Sequence, residues 1–377
     1  MLSVKITILL VLLVGCLVAL GCVRGLSSVG WSGVAVGEDR LYVGSTEGRL
    51  VAIKSDGIRA WSEPLRVARP SGGCALIPEG STGGGCASSA STAVAIYGTP
   101  VVSGDIVYLS GYNGKVYAFD APSLEPRWTY PVEDYLKPII GGVALFQDKL
   151  YFGTSDGIVF ALDVAKGIKK WELQLGGKIW STPAIDKGSI YIGSFDKKLY
   201  AIDAATGAKK WEFATGGTIT ATPLVHKDTV YIGSFDRKLY AINADGGTKK
   251  WEFQADNWFW TAPVAYENTI YAGCLDGNVY ALNAQNGDKL TSWATGPVAS
   301  SPVLAGSSII VANQKGEIYS IDMVSRNLKK LADLGAPVSS PLTASKELVY
   351  VHTSDLIVHR IDIATGAKLT PIILKKE

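Results

Sequence analysis

Asp156, Asp196, Asp236 and Asp276 are the residues whose type and spacing first invite a chemical reading. Paired carboxylates do general acid–base work when their surroundings push their pKa values apart. These four, however, follow one another at 40 residues, each three places after a glycine, as in Gly193-Ser-Phe-Asp196 and Gly233-Ser-Phe-Asp236. A group that recurs in the same surroundings has the same structural task each time, and a catalytic pair should break that symmetry. They read as turn residues. His226, His352 and His359 add little, because two histidines sharing one repeat, with no third ligand, make no metal site. Cys74 and Cys86 stand 12 apart in a glycine-rich loop, and an oxidising compartment permits them to pair. Cys274 fills the slot of Ser194 and Ser234, which suits a small buried side chain. No catalytic, cofactor-binding or metal-binding residue is assigned.

The spacing is the larger signal. Pro183, Pro223 and Pro263, Tyr191, Tyr231 and Tyr271, and Trp171, Trp211 and Trp251 all recur at an offset of 40. A fixed period of that size denotes a repeat architecture. Each copy reads as four strands, here A to D: Thr-Pro-Ala-Ile, the alternating Ile-Tyr-Ile-Gly-Ser, Lys-Leu-Tyr-Ala-Ile-Asp, and Lys-Lys-Trp-Glu-Phe. Asp186-Lys-Gly-Ser189 is a typical A–B turn. In the C–D turn Asp203-Ala-Ala-Thr-Gly207 the aspartate can bond the turn backbone and the glycine supplies positive φ. Four strands in 40 residues leave no room for a helix.

Eight copies are countable, the first from near Trp31 and the last carrying Val349-Tyr350 and Thr365-Gly366. Four-stranded units of this length arranged radially are propeller blades. The expected fold is therefore all-β, an eight-bladed β-propeller of four-stranded antiparallel blades over residues 23–377. The D-strand tryptophans Trp61, Trp128, Trp171, Trp211, Trp251 and Trp293 read as packing between blades, and the lysine pairs beside them blunt the outer sheet edge. Blade 8 closes either with its own D strand, 368–374, or with an added segment from 23–29.

Antiparallel order puts the B–C and D–A connections on one face, and the irregular sequence falls there. It includes an insertion at 62–97 after blade 1, long enough to suggest function, and the Glu133-Asp-Tyr-Leu-Lys137 loop. It also includes Asp256-Asn-Trp-Phe-Trp260, where the preceding copy reads Gly216-Gly-Thr-Ile-Thr220. Trp180, Trp258, Phe259 and Trp260 stand where the channel mouth would be rimmed. Aromatics there suit a partner peptide or a flat ligand; packing between blades is the alternative.

The net charge is +2, with 19 % charged residues, which gives no clustered basic face and no nucleic-acid partner. One chain closes one ring, so a monomer is expected. Residues 1–22 have a basic start at Lys5, an uncharged aliphatic run from Ile6 to Leu20, and Gly21-Cys22. This is a secretory signal pattern. Small residues before a cysteine resemble a bacterial lipoprotein site, at Cys22 or Cys16; a plain signal peptide and an uncleaved anchor are the other readings. All three put the rest of the chain outside the cytoplasm, at a periplasmic or cell-surface membrane.

The pattern Tyr-x-Gly-Ser…Leu-Tyr-Ala-Ile-Asp-x-x-Thr-Gly-x-x-x-Trp resembles the repeat of pyrroloquinoline-quinone (PQQ) dehydrogenases and their non-catalytic relatives, from Trp31 to Leu374. The resemblance implies the propeller. It leaves the function divided among dehydrogenases, propeller lipoproteins of the BamB type, and other cell-surface proteins. The chain departs from the dehydrogenases: it is shorter, and has neither an adjacent cysteine pair nor a Cys-x-x-Cys-His haem site. The expectation is a non-catalytic, membrane-tethered scaffold without cofactor that presents its loop-rich face to a protein partner. A PQQ-dependent dehydrogenase and a carbohydrate-binding or sensory surface protein are the alternatives.

Overall fold

The computed structural model describes residues 32–45, 48–54, 58–62, 64–65 and 94–374. Among them there is no helix; every strand belongs to one of eight four-stranded sheets, each made of four consecutive strands. Cys16, Cys22, Cys74 and Cys86, with most of the 62–97 insertion, lie outside the described residues.

Blade 4 shows why these sequences form blades. Its strands are Ala184–Asp186, Ser189–Gly193, Lys198–Asp203 and Lys209–Ala214, paired antiparallel in that order. Successive side chains on a strand point to opposite faces. On the second strand Ile190 and Ile192 therefore enter the core shared with blade 3, and Tyr191 enters the core shared with blade 5. A blade is apolar on both faces and needs two neighbours. The cores accordingly lie between blades, and the one between blades 8 and 1 completes the ring. The outermost strand carries charge: its Lys209 and Glu212 pair, Lys198 of the third strand joins them, and all three are exposed enough to contribute little to stability.

The turn between the third and fourth strands is built as its composition demands. Asp203 Oδ1 accepts from the amides of Ala205 and Thr206 and from the Thr206 hydroxyl. The bonds from Thr206 are the main reason its carboxyl sits below the usual range. Gly207 takes φ 76°. The tryptophan of the preceding blade stands against this turn: Trp171 on Gly207, Trp211 on Gly247 and Trp251 on Gly287. Each indole N–H donates to a carbonyl of the same turn, at 2.9–3.1 Å. The tyrosines of the second strands, Tyr151, Tyr191 and Tyr231, donate to those same carbonyls.

Two of the tryptophans grouped by sequence also pack between blades but sit at another register. Trp293 is opposite Val279, the register of Phe253 opposite Leu239, so Thr291 occupies the tryptophan position of blade 6. Trp61 is opposite Val51 while Ala60 takes that position in blade 1, and Trp61 packs with Val358 and Ile372 of blade 8.

The ring closes without strand exchange among the described residues. Ile372–Ile373 pairs with Ile357–Asp362 as the fourth strand of blade 8. Side chains cross the remaining seam: Thr343 Oγ1 donates to Val34 O at 2.6 Å, Arg59 Nη1 to Ile373 O, and His352 Nδ1 lies 2.8 Å from Ser32 O.

Candidate interaction site

The loop-rich face is held by the recurring aspartates. Asp236 Oδ1 accepts the Lys238 amide at 3.0 Å; its Oδ2 accepts the Tyr240 hydroxyl at 2.7 Å and the Gly216 amide at 2.7 Å. One carboxylate thus closes the B–C turn and pins the connection that enters the same blade. Asp196 and Asp276 likewise accept the hydroxyls of Tyr200 and Tyr280. Burial and the adjacent carboxylate push all three phenols well above their ordinary pKa. A phenol that hard to ionise is a fixed donor, so these acids serve the scaffold.

The entering connections carry the aromatics. Ile179, Ile219 and Phe259 occupy one slot, each lying over a glycine of the preceding blade: Gly153, Gly193 and Gly233. Phe259 is 1 % exposed and packs in the core between blades 5 and 6. It is therefore not at the rim, unlike the expectation from sequence. Its flanking residues alternate outward, and Trp258 and Trp260 are half-buried.

Between those two indoles lies Phe235, from the B–C turn of blade 5. Its ring is 4.6 Å from Trp258 at an interplanar angle of 6°, and 5.3 Å from Trp260 at 22°. Trp258 is oriented by the Asn257 carboxamide, which accepts its amide at 2.8 Å. In blade 4, Trp180 meets Phe195 edge-on at 4.6 Å. The structure thus brings Trp258 and Trp260 together and places Trp180 in a separate pair two blades back. Sequence alone leaves Phe195 and Phe235 with the scaffold because they share a repeat slot. The signal that could have found them is that the slot holds Ser155, Leu275 and Gln314 in other blades.

Trp180 and Trp260 also line a cavity of about 120 Å³ on the propeller axis, with Thr182, Thr222, Thr261 and Ser301 among the other walls. None of the lining residues is Asp, Glu, Lys, Arg or His.

The other candidates are elsewhere. Cys274 is buried, has no disulfide partner among the described residues, and has its thiol pushed up to about 12 by burial. His226 Nε2 lies 2.9 Å from Glu267 O at the opposite, tight-turn side of blades 5 and 6. His352 and His359 share blade 8, where His359 Nε2 is 3.2 Å from Thr353 Oγ1. No group of three or more His, Cys, Asp or Glu among the described residues could hold a metal ion.

Known proteins match this architecture at two levels. The family described as outer membrane protein assembly factor BamB matches residues 24–178 and again 155–369. A solved structure of BamB from Moraxella catarrhalis superposes with a TM-score of 0.68 at 18 % identity, covering 88 % of this chain and 95 % of that one. Curated relatives match only locally. Quinoprotein ethanol dehydrogenase of Pseudomonas putida is 33 % identical over 82 residues, and the BamB of Alteromonas naphthalenivorans is 39 % identical over 49. Those matches span 13 % and 12 % of the relatives' own lengths, and 20 % and 13 % of this chain.

Proposed function

Since this chain belongs to the family described as outer membrane protein assembly factor BamB, a propeller of PQQ-type repeats, we propose that it is a non-catalytic extracytoplasmic scaffold that binds another protein through its loop-rich face. In this reading the chain is tethered to a membrane through Cys22 or Cys16, or through an uncleaved anchor in residues 1–22. Blades 1–8 form the rigid body, and the 62–97 insertion adds to the binding face.

The observation that supports the reading is the Trp258–Phe235–Trp260 stack. It stands where Asp256-Asn-Trp-Phe-Trp260 replaces the repeat's Gly-Gly-Thr-Ile-Thr, and its rings are only half-buried. Stacked, orientation-locked aromatics with little side-chain entropy left to lose are what protein interfaces use as anchors. Crosslinking in intact membranes followed by purification tests this. The wild-type chain should capture a partner that a folded Trp258→Ala, Trp260→Ala double variant loses; equal capture by both ends the proposal.

The local likeness to quinoprotein ethanol dehydrogenase supports a second reading, in which the axial cavity holds PQQ and Ca²⁺. The residues do not fit it. PQQ carries three carboxylates, and a buried anion needs cationic or hydrogen-bonding partners of matching charge, whereas the cavity wall is uncharged. Ca²⁺ takes six to eight oxygen ligands, usually with carboxylates among them, and the wall supplies no carboxylate. Titration with PQQ and Ca²⁺ separates the readings: a bound-quinone absorbance change with dye reduction by alcohols would replace the scaffold with an oxidoreductase.

A further inference from the structure

Five tryptophans of the outermost strands spend their indole N–H inside the fold. Trp128, Trp171, Trp211, Trp251 and Trp293 each donate to a carbonyl of the next blade at 2.9–3.1 Å. Trp258 and Trp260 do not. Neither Nε1 has a hydrogen-bond partner among the described residues, and both remain open to solvent, whereas Trp180 Nε1 is sealed. The backbone carbonyls around these two donors are already taken. Asn257 O accepts from the Cys274 thiol and Trp258 O from the Leu275 amide. Thr218 O accepts from the Phe235 amide, and Gly217 O from the hydroxyls of Thr215 and Ser234. This part of the loop-rich face has hydrogen bonds to give and few to take.

Its aromatic rings lie on either side of a small residue. Thr218, in the connection entering blade 5, has its Oγ1 3.5 Å from Phe195 O of blade 4 and its carbonyl oxygen 3.0 Å from the Phe235 amide of blade 5. Phe195 meets Trp180 and Phe235 meets Trp258, each tryptophan belonging to the connection on the far side of the ring from Thr218. The slot of Thr218 holds Lys178 in blade 4 and Trp258 in blade 6. Gly217 beside it lies so close to Phe235 that a Cβ there would come within 2.6 Å of the phenylalanine carbonyl carbon. A low point is thus flanked by an aromatic pair on each side. Charge selects no sign of partner here, because Lys178, Lys197 and Arg237 alternate along the chain with Asp196, Asp236 and Asp256.

Few backbones suit such a surface. A helix spends its carbonyls within its own turns. A β-strand carries an N–H on every residue, and those facing this surface would lose water without gaining an acceptor. A polyproline II segment has no internal hydrogen bonds, so its carbonyls are free. Its prolines bring no N–H, an apolar ring and a φ fixed in advance, and segments of this kind dock in aromatic-lined grooves. We propose that the partner segment that docks here is proline-rich and in the polyproline II conformation. It lies across Thr218, with proline rings on Phe195 and Phe235 and carbonyls on the indole N–H groups of Trp258 and Trp260. Such docking rests on the scaffold reading above and narrows the partner to one chemistry.

Titration calorimetry and indole ¹H–¹⁵N spectra on the full chain test it. The probes are the peptides acetyl-(Pro-Pro-Ala)4-amide, acetyl-(Gly-Ser-Ala)4-amide and acetyl-(Glu-Gly-Ala)4-amide. The proline-rich peptide should bind and shift the Trp258 and Trp260 indole N–H resonances; the other two should leave both in place. Trp258→Phe and Trp260→Phe keep a ring in the stack and remove the donor, and each should weaken binding about three- to tenfold. The proposal falls if the proline-rich peptide does not bind, if either control peptide binds as tightly, or if a folded Trp258→Phe, Trp260→Phe variant binds unchanged. The scaffold reading fails separately. Loss of crosslinked capture in the Trp258→Ala, Trp260→Ala variant, with no binding of the proline-rich peptide, overturns this partner chemistry alone. Peptide binding with capture retained by that variant upholds the chemistry of the surface and removes the scaffold reading instead.

Discussion

Trp211 stands against the backbone of Gly247 on the next blade: a Cβ on that glycine would come within 2.7 Å of the indole Cδ2. The ring's Nε1 donates to Ala244 O in the same turn at 2.9 Å. The glycine thus serves two demands at once, a left-handed turn at φ 68° and room for an indole. Where the turn carries a side chain, the indole is absent from its register. Leu124, at φ 61°, is buried in the core against which Ala60 of blade 1 packs. Arg326, at φ 61°, follows a blade with Thr291 in the tryptophan position.

That complementarity makes a double-mutant prediction. Trp211→Ala should cost about 3–5 kcal/mol through the cavity it leaves. Gly247→Leu in the wild type should also destabilise, through the clash and a left-handed penalty of about 1–2 kcal/mol. Combined, the two should cost less than their sum by at least about 1 kcal/mol, because the introduced leucine side chain can fill the vacated space as Leu124 does beside Ala60. Urea unfolding of the four proteins measures the coupling; additivity, or a Trp211→Ala protein that melts with the wild type, contradicts the packing.

Cys274 should be chemically silent in the folded chain. Its thiol is fully buried, with Sγ 3.2 Å from Asn257 O, and burial pushes its pKa up to about 12. The thiolate is the reactive species, so iodoacetamide at pH 8 should leave the Cys274 peptide unlabelled until denaturant is added. Native labelling at a rate near that of free cysteine would show that the blade 6 slot is open.

The seam between blades 8 and 1 should weaken in mild acid. His352 is 3 % exposed, its Nε2 has no partner among the described residues, and it faces Ser32 O and, at longer range, Asp355 and His359. Burial lowers the pKa of both histidines. An unfolded histidine titrates near pH 6.5. Between that value and the lower folded one, the unfolded state holds more protons, so stability is complete above about pH 6.5 and falls as pH drops through the window. The carboxylates whose pKa is lowered, Glu317 and Asp203 among them, act below the histidine range. A His352→Asn, His359→Asn variant should therefore show a flatter unfolding free energy between about pH 5 and 6.5. An unchanged slope in that window would acquit the seam.

The ring was legible in the sequence because every blade solves the same problem. Tyr191, Asp203, Gly207 and Trp211 recur since each blade must enter two cores and close two turns. The site was legible only in outline. Trp258 and Trp260 announced themselves by breaking the repeat, but Phe259 between them keeps it, filling with a larger ring the slot of Ile179 and Ile219. Alternation along the connection entering blade 6, not aromatic type, decides where that ring goes. Phe235 was hidden for the opposite reason, since its slot holds the same residue in blades 4 and 5, yet it stacks on Trp258, whose slot holds Lys178 and Thr218 before those blades.

Alternation along Trp258-Phe-Trp260 gives the prediction that best separates scaffold from site. Phe259 has its Cβ 2.4 Å from where a Cβ on Gly233 would stand, and its ring 6.2 Å from that of Tyr280. Phe259→Ala should therefore cost about 3–5 kcal/mol, and should leave partner capture intact at temperatures where the protein is folded. Trp258→Ala removes one side of the clamp on Phe235 at a half-buried position. Its stability cost should be smaller, about 1–2 kcal/mol, while it should lose capture in crosslinked membranes. Trp260→Ala should resemble Trp258→Ala in capture and differ from it in the cavity, where of the two it alone lines the wall. Thermal melts and crosslinking yields on the same three variants decide the matter. A Trp258→Ala protein that is as destabilised as Phe259→Ala and captures as wild type would make the whole triplet part of the core.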